Sequence, residues 1–138
     1  MRVALISSLT SATGNAVTAQ RLADHLRLGG EHTVELWDIK DLDRCSGEEV
    51  KERLARERVD AVLAIHAWRA GRHLLLSSVP FVLVFGGTDL NEHAQQSGKL
   101  ATMTNVVRSA SFVVAFSTTM EQKALSVGFN LIAIPSLV

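Results

Sequence analysis

The sequence has very little of several features that mark specialised classes of protein. It contains one cysteine, Cys45, and no tyrosine among its 138 residues. A single cysteine excludes an internal disulfide, and no spacing of cysteine and histidine is typical of a zinc site, so we expect no bound metal. No apolar run approaches the roughly 18 residues that a transmembrane helix needs. We therefore expect a chain without a membrane span, located in the reducing cytoplasm.

An excess of charge of one sign is also missing. Lysine and arginine together number 14, as do aspartate and glutamate, which gives a net charge of zero. Because neutralising phosphates requires a surplus of basic residues, this balance argues against a nucleic-acid partner. Apolar residues, in contrast, make up 47% of the chain, a proportion typical of a globular domain. The length predicts a single domain over residues 1–138.

Short apolar runs recur along the chain, and there are six of them, at residues 3–8, 33–38, 61–66, 81–85, 112–116 and 131–134. Most are nearly continuous in valine, isoleucine, leucine, alanine and phenylalanine, which is typical of strands buried on both faces of a parallel sheet. The run at 33–38 alternates apolar and polar residues, which predicts a position near the edge of the sheet.

Helical patterns fill the gaps between these runs. Apolar residues share one helix face after the first run, and the glycines at 29–30 follow as a stop signal. Ser46 with Glu49, and Thr118 with Glu121, have the spacing of capping boxes. The alternation predicts an α/β fold with one doubly wound, Rossmann-like parallel sheet of about six strands and helices on both faces.

Ligands of such sheets bind beyond the carboxyl ends of the strands, where the strand order reverses. With the dinucleotide-type order 3-2-1-4-5-6, the reversal lies between the loops that follow strands one and four. These two loops, at 10–18 and 86–92, are rich in hydroxyl, amide and carboxyl side chains. We therefore expect the ligand crevice between them.

The first loop offers Thr13, Gly14 and Asn15 at the start of a helix. Backbone N–H groups at a helix N-terminus suit a phosphate, and a glycine lets a ligand approach the backbone. Thr13 or Asn15 as a simple helix cap is an equally good explanation.

The second loop offers the candidate ligand contacts Gly86, Gly87, Thr88, Asp89 and Asn91. The two glycines allow a tight exit from the fourth strand, and the polar side chains after them would face the crevice. The competing explanation is structural, because Asp89 and the glutamate three residues later have capping-box spacing.

His66 ends the third run, so geometry places it at the ligand edge of the sheet, with Arg69 close behind it. A structural histidine and a solvated arginine are the competing explanations. The remaining histidines, His93 among them, are expected at the surface.

Several nucleotide and hydrolase motifs are absent. No G-x-G-x-x-G follows the first run, no P-loop Lys-Ser/Thr pair occurs, and no G-x-S-x-G elbow is present. No residue is therefore assigned a catalytic role from motifs alone.

The segment Thr13-Gly14-Asn15 resembles the phosphate loop of flavodoxins, and Trp68 and the stretch 85–89 extend this likeness. It implies an electron-transfer protein that binds FMN.

A longer set of segments is similar to the N-terminal domain of group 1 glycosyltransferases with the GT-B architecture. These segments follow in order along nearly the whole chain, at 13–19, 21–22, 25–26, 64–67, 69, 71–72, 85–92 and 114–116. The resemblance implies a retaining transfer of a sugar from a nucleotide-sugar donor to an acceptor, without a further cofactor. It also implies that Gly14 and Asn15 approach the phosphate or the transferred sugar. His66 then hydrogen-bonds a sugar hydroxyl, and Thr88 to Asn91 border the acceptor pocket.

In that family a second domain holds most of the donor-binding groups. We therefore expect residues 1–138 to form the acceptor-side half, with the donor-binding domain absent and little activity by itself. A second domain or chain, or a second copy of this chain, would cover the cleft face. A non-catalytic interaction module using that face is a third alternative.

Overall fold

A computed structural model describes residues 1–11 and 13–129, and in this part the chain forms one five-stranded parallel sheet. The strands are β1 (Arg2–Ser7), β2 (Thr33–Asp38), β3 (Ala61–Ile65), β4 (Phe81–Val84) and β5 (Phe112–Val114). Every neighbouring pair is parallel, and the order across the sheet is β2-β1-β3-β4-β5. The predicted α/β fold is confirmed, while the predicted run at 131–134 lies outside the described residues.

Helices alternate with the strands as the sequence predicts. They are α1 (Gly14–Arg27), α2 (Ile39–Leu42), α3 (Gly47–Arg56), α4 (Gly87–Asn91), α5 (Ser97–Ser109) and α6 (Thr118–Ser126). Two single 3₁₀ turns, at Gly71–Leu74 and His93–Gln95, complete the described elements. Within the described part, no helix is both long and apolar enough to cross a membrane.

The core has two layers, one on each face of the sheet. On one face, Ala19 and Ala23 of α1 pack against Val3 and Leu5 of β1. On the other face, apolar residues of α3, α5 and α6 surround the alternate side chains of the central strands. Strand β2 is an edge strand within the described sheet, as its alternating pattern predicts, with Trp37 turned inward.

Side-chain caps and glycines define several of the helix ends. Ser46 and Glu49 form the predicted capping box, each side chain bonding the other's backbone N–H at 3.1 and 3.2 Å. The second predicted box is wrong by one residue, because Ser117, rather than Thr118, accepts the N–H of Met120 at 3.1 Å. The glycines at 29–30 end α1 with φ of +88° and +72°, a backbone region that favours glycine.

The strand order corrects the expected position of the crevice. In the described sheet a single strand, β2, lies on the outer side of β1, whereas the order 3-2-1-4-5-6 would place two there. The order therefore reverses between β1 and β3, and the crevice lies beyond the carboxyl ends of these two strands. The loop at 86–92 follows β4, one strand further along the sheet.

Candidate functional site

The loops that follow β3 and β4 are joined by one carboxylate. Asp89 is fully buried, and its Oδ2 accepts the backbone N–H of Ala67 at 2.7 Å and of Gly86 at 3.0 Å. Its Oδ1 accepts the N–H of Trp68 at 3.0 Å. Three backbone donors from two loops thus converge on a single side chain, which fixes the two loops relative to each other.

His66 lies beside this carboxylate and is only 1% exposed. Its Nδ1 is 2.6 Å from Oδ1 of Asp89, but the oxygen lies off the N–H direction, so the contact is short without being a well-aligned hydrogen bond. Nε2 has no hydrogen-bond partner among the described residues. The backbone at His66 has φ of +90°, an uncommon value for a residue with a side chain, and such values cluster at functional sites.

Gly86 covers the outer edge of the His66 ring. A Cβ added at Gly86 would lie 2.3 Å from Cδ2 and 2.9 Å from Nε2 of that ring. Both distances are too short for any side chain, so position 86 accepts only glycine while the ring stays in place.

Burial and hydrogen bonding act on the pKa of Asp89 in opposite directions. Burial raises the pKa of this carboxyl, but the adjacent His66 ring and the N–H groups of Trp68 and Gly86 together outweigh burial. The net pKa lies below its usual value, so Asp89 is a carboxylate at neutral pH. The two loops are therefore held by charge-assisted hydrogen bonds.

His93 belongs to the same buried group, which corrects its expected surface position. It is 6% exposed, and its ring centroid lies 5.5 Å from that of His66. Its Nδ1 lies 3.9 Å from Oδ1 of Asp89, with no hydrogen-bond partner among the described residues. Burial lowers the pKa of His93, and the charge of Lys99 lowers it further, so this ring is neutral at pH 7.

The three buried side chains His66, Asp89 and His93 place potential metal-ligand atoms within 4.8 Å of one another. The carboxylate of Asp89 already accepts three backbone N–H groups, which leaves it little capacity for an ion. Lys99 and Arg69 also act on His93 as positive charges, which disfavours a cation there. The arrangement therefore suits a brace between loops better than a metal centre.

In the first loop, the structure confirms Thr13 as a helix cap. Its Oγ1 accepts the N–H of Ala16 at 3.3 Å as the N-cap of α1 and donates to the carbonyl of Thr10 at 2.8 Å. Gly14 is exposed, and an added Cβ there would meet nothing within 4 Å, so packing does not require glycine. Asn15 is half-buried. Among the described residues, no hydrogen bond or ion pair connects this loop to the loops after β3 and β4.

The other predicted contacts lie in the same two loops that Asp89 joins. Gly87 begins α4 and is exposed, Thr88 and Arg69 are half-buried, and Asn91 is exposed. Asn91 accepts a hydrogen bond from Lys123 of α6, with Oδ1 and Nζ 2.6 Å apart. The structure therefore gathers the candidates of the β3 and β4 loops into one group and leaves 13–15 apart.

The capping explanation for Asp89 is wrong in detail. Asp89 is the third residue of α4 and reaches back to the N–H of Gly86, rather than capping a helix that starts after it. His93 lies four residues further on, a spacing that places two side chains on one helical face. That spacing is the signal in the sequence that would have connected His93 to Asp89.

The sequence named Trp68 only for its likeness to flavodoxins and did not single out Lys99, and neither was predicted as a site residue. The Lys99 Nζ lies 5.2 Å from the centroid of the Trp68 ring, and the guanidinium carbon of Arg72 lies 4.9 Å from it. The His93 ring meets the same indole edge-on, with centroids 6.1 Å apart. The indole is thus the centre of a small basic surface next to the braced loops.

The sequence is similar to that of one curated protein in particular. Over 124 residues, 90% of its length, the chain is 37% identical to glycosyltransferase 1 domain-containing protein 1 of Xenopus tropicalis. It spans about a third (35%) of the length of that curated relative. No family model matches the chain. The chain is therefore a relative of glycosyltransferase 1 domain-containing protein 1, in agreement with the resemblance that its segments show to group 1 glycosyltransferases.

Proposed function

We propose that this chain is the N-terminal, acceptor-side domain of a retaining GT-B glycosyltransferase that takes its sugar from a nucleotide-sugar donor. The observation that carries the proposal is the 37% identity to a glycosyltransferase 1 domain-containing protein over 90% of the chain. The chain spans only 35% of that relative, which supports a donor-binding half supplied by a second domain or chain. The nucleotide-sugar is a substrate in this scheme, and no further cofactor is required.

The crevice beyond β1 and β3 offers suitable groups for both substrates. Among the described residues, the N–H groups of Gly14 and Asn15 in the first turn of α1 have no acceptor, and the positive end of a helix dipole attracts donor phosphates. The amide of Asn15 and the hydroxyl of Thr88 both donate and accept hydrogen bonds, as recognition of neutral sugar hydroxyls requires. Arg69, Gly87 and Asn91 lie on the β3 and β4 loops and would supply further groups on the acceptor side.

Asp89 and His66 are both buried and have different roles in this scheme. Asp89 positions the loops through its three backbone contacts and does not meet the sugar itself. His66 would hydrogen-bond a sugar hydroxyl through Nε2 once the surrounding loops open, because that nitrogen is buried and has no partner among the described residues. The unpartnered Nε2 supports this role, since a buried polar atom without a partner is rare.

The FMN-binding alternative receives no support from the relative that the chain matches. The order β2-β1-β3-β4-β5 is shared by flavodoxin-like sheets, so strand order does not separate the two functions. The similarity to a glycosyltransferase relative favours sugar transfer. A purely non-catalytic module would leave the polar groups of the crevice without a role.

Backbone NMR of the chain, with UDP-glucose, UDP and FMN added separately, tests the proposal. UDP-glucose should shift the amide signals of residues 13–15 and 86–91. Asn15→Ala and Thr88→Ala should each weaken binding about tenfold, the effect of losing one well-formed hydrogen bond to a ligand. Asn105→Ala, at an exposed position of α5, is the matched control and should bind like the parent.

Two results would contradict the proposal. One is a yellow FMN complex that shifts the same amides while UDP-glucose shifts none. The other is efficient sugar transfer by the chain alone, because the charge that develops on the departing nucleotide needs groups from the donor side.

A further inference from the structure

The outward face of α1 carries two apolar side chains that the described residues leave largely uncovered. Val17 is 54% exposed, and Leu28, which directly follows the last residue of the helix, is 73% exposed. The inward face is occupied by Ala19 and Ala23, which pack against the sheet. Single exposed apolar residues are common on protein surfaces, so exposure alone indicates nothing. The spacing of these two residues, and the charges between them, carry the argument.

Four exposed residues form one line along this face, which we call the α1 seam: Val17, Arg21, Asp24 and Leu28. They are separated by four, three and four residues, the spacing of the contact positions in a coiled coil. At 3.6 residues per turn, the four positions lie within about 60° of one another, on the side of the helix away from the sheet. The seam therefore has an apolar residue at each end and two opposite charges between them.

The two charges of the seam are available to a partner. Arg21 is exposed and forms no ion pair among the described residues. Asp24 is also exposed, and its Oδ1 lies 2.8 Å from Nε2 of Gln20 and 3.6 Å from Nη1 of Arg27 in the same helix. Such contacts between exposed side chains are weak. Asp24 can therefore exchange them for a closer contact with an arginine of another molecule.

The seam is complementary to a reversed copy of itself. When a second α1 lies antiparallel, with a two-fold axis between positions 22 and 23, Val17 faces Leu28 of the second copy. Arg21 then faces Asp24 of the second copy, and the two-fold axis repeats both contacts. A parallel pair would instead set Arg21 against Arg21, and an antiparallel pair shifted by one turn would set apolar residues against charged ones. Charge and apolar spacing thus favour a single register.

We propose that the α1 seam is a docking surface for a second copy of this chain, with the two α1 helices antiparallel in this register. The inference does not depend on the proposed function, because no residue of the seam belongs to the candidate site. A contact of one helix with one helix is small, which is typical of weak, transient complexes. We therefore expect a dissociation constant on the order of 100 μM.

Charge reversal tests the pairing of Arg21 with Asp24. Sedimentation equilibrium at low salt, where exposed charges are least screened, measures the self-association of the chain. Arg21→Asp and Asp24→Arg should each weaken it at least about tenfold, because each change replaces two attractive contacts of the pair by two repulsive ones. An equimolar mixture of the two variants should associate as the parent does. One copy then carries two acidic groups at these positions and the other carries two basic groups.

Disulfide cross-linking tests the register, in a Cys45→Ser background that removes the single native cysteine. Val17→Cys mixed with Leu28→Cys should form a cross-linked pair under oxidising conditions. Val17→Cys by itself should not, because the two copies of position 17 would lie 11 residues apart along the helices, about 16 Å, which is too far for a disulfide. Leu125→Cys, at an exposed apolar position of α6, is the matched control and should not cross-link with either variant.

Three results would overturn the inference. The first is a parent chain that stays monomeric at about 1 mM, well above the expected dissociation constant. The second is a mixture of Arg21→Asp and Asp24→Arg that associates no more tightly than either variant alone. The third is cross-linking of Val17→Cys with itself as readily as with Leu28→Cys, since that pattern requires another register. All these variants change exposed side chains, and circular dichroism shows whether each one keeps the parent fold.

Discussion

Oδ1 of Asp89 and Nδ1 of His66 lie 2.6 Å apart in a part of the protein where both side chains are buried. The pair connects the loop after β3 to the loop after β4, because the same carboxylate also accepts three backbone N–H groups. Two loops that would otherwise move separately therefore share one anchor. The stability of this edge of the sheet depends on that anchor.

Replacing Asp89 should be severely destabilising. Asp89→Ala leaves one buried and two partly buried N–H groups and the His66 ring without their partner, and we expect a loss of about 3–5 kcal/mol in the free energy of unfolding. Urea unfolding followed by circular dichroism measures the loss. Asp24→Asn is the control, because its contact with Arg27 is exposed and worth at most about 1 kcal/mol. Equal losses in the two variants would show that Asp89 is not the anchor.

Gly86→Ala should be destabilising through a direct clash, since its Cβ would lie 2.3 Å from the His66 ring. We expect a cost of about 1–3 kcal/mol, the range for overpacking a filled site. The cost should largely disappear in a His66→Gly background, which removes the ring and also accepts the positive φ. Gly87→Ala is the neighbouring control, because its nearest atom would be at 3.8 Å. A cost for Gly86→Ala that does not depend on His66 would refute the clash.

Stability should fall as the pH drops below about 6.5, the ordinary pKa of histidine. Burial lowers the pKa of His73, and the charge of Arg72 lowers it too, although the contact with Asp43 acts in the opposite direction. The unfolded chain therefore takes up a proton at a higher pH than the folded chain does, and acid favours unfolding. Each such group contributes at most about 1.4 kcal/mol per pH unit.

His73→Gln tests this dependence. Unfolding free energies measured from pH 8 down to pH 5 should decrease less steeply in the variant than in the parent. Some slope should remain, since the pKa of His93 is also lowered, chiefly by burial. Identical slopes for the variant and the parent would exclude His73 as a source of the pH dependence.

Two substitutions of Thr13 distinguish a role in capping α1 from a role in ligand binding. Thr13→Ala removes the bond from the N–H of Ala16 and should cost about 1 kcal/mol of stability, while Thr13→Ser retains the cap. If Thr13 only caps α1, Thr13→Ala binds UDP-glucose as well as the parent does at a temperature where both are folded. Weaker binding by Thr13→Ala, restored in Thr13→Ser, would show that the hydroxyl also contacts the ligand.

Most of the fold was predictable because it depends on local patterns. The runs at 33–38 and 61–66 became strands with nearly the predicted bounds, and Ser46 formed its capping box. Strand order was not predictable in the same way, since it depends on how crossovers pack rather than on any one run. The predicted crevice, between the loops after strands one and four, is therefore one strand away from the observed position between β1 and β3.

The site was predictable as a set of loops but not as a set of roles. The carboxyl ends of parallel strands meet at one edge of the sheet, so the polar residues that follow them lie there too. For this reason His66 and Asp89 were predicted as site residues. Whether such a residue faces solvent or neighbouring backbone N–H groups depends on the loop conformation, and Asp89 turned inward to bind Ala67, Trp68 and Gly86. The burial of His93 depends on the same contacts, so its neighbours in the sequence did not reveal it.

The fit between Gly86 and the His66 ring has a consequence for how this sequence can change over evolutionary time. A side chain at 86 requires the loss of the ring at 66, because the two cannot occupy the same space. A non-glycine residue at 66 must in turn tolerate a positive φ, which few residues do. The two positions are therefore not free to drift separately. Substitutions at 66 and 86 should occur together in diverging descendants, or not at all.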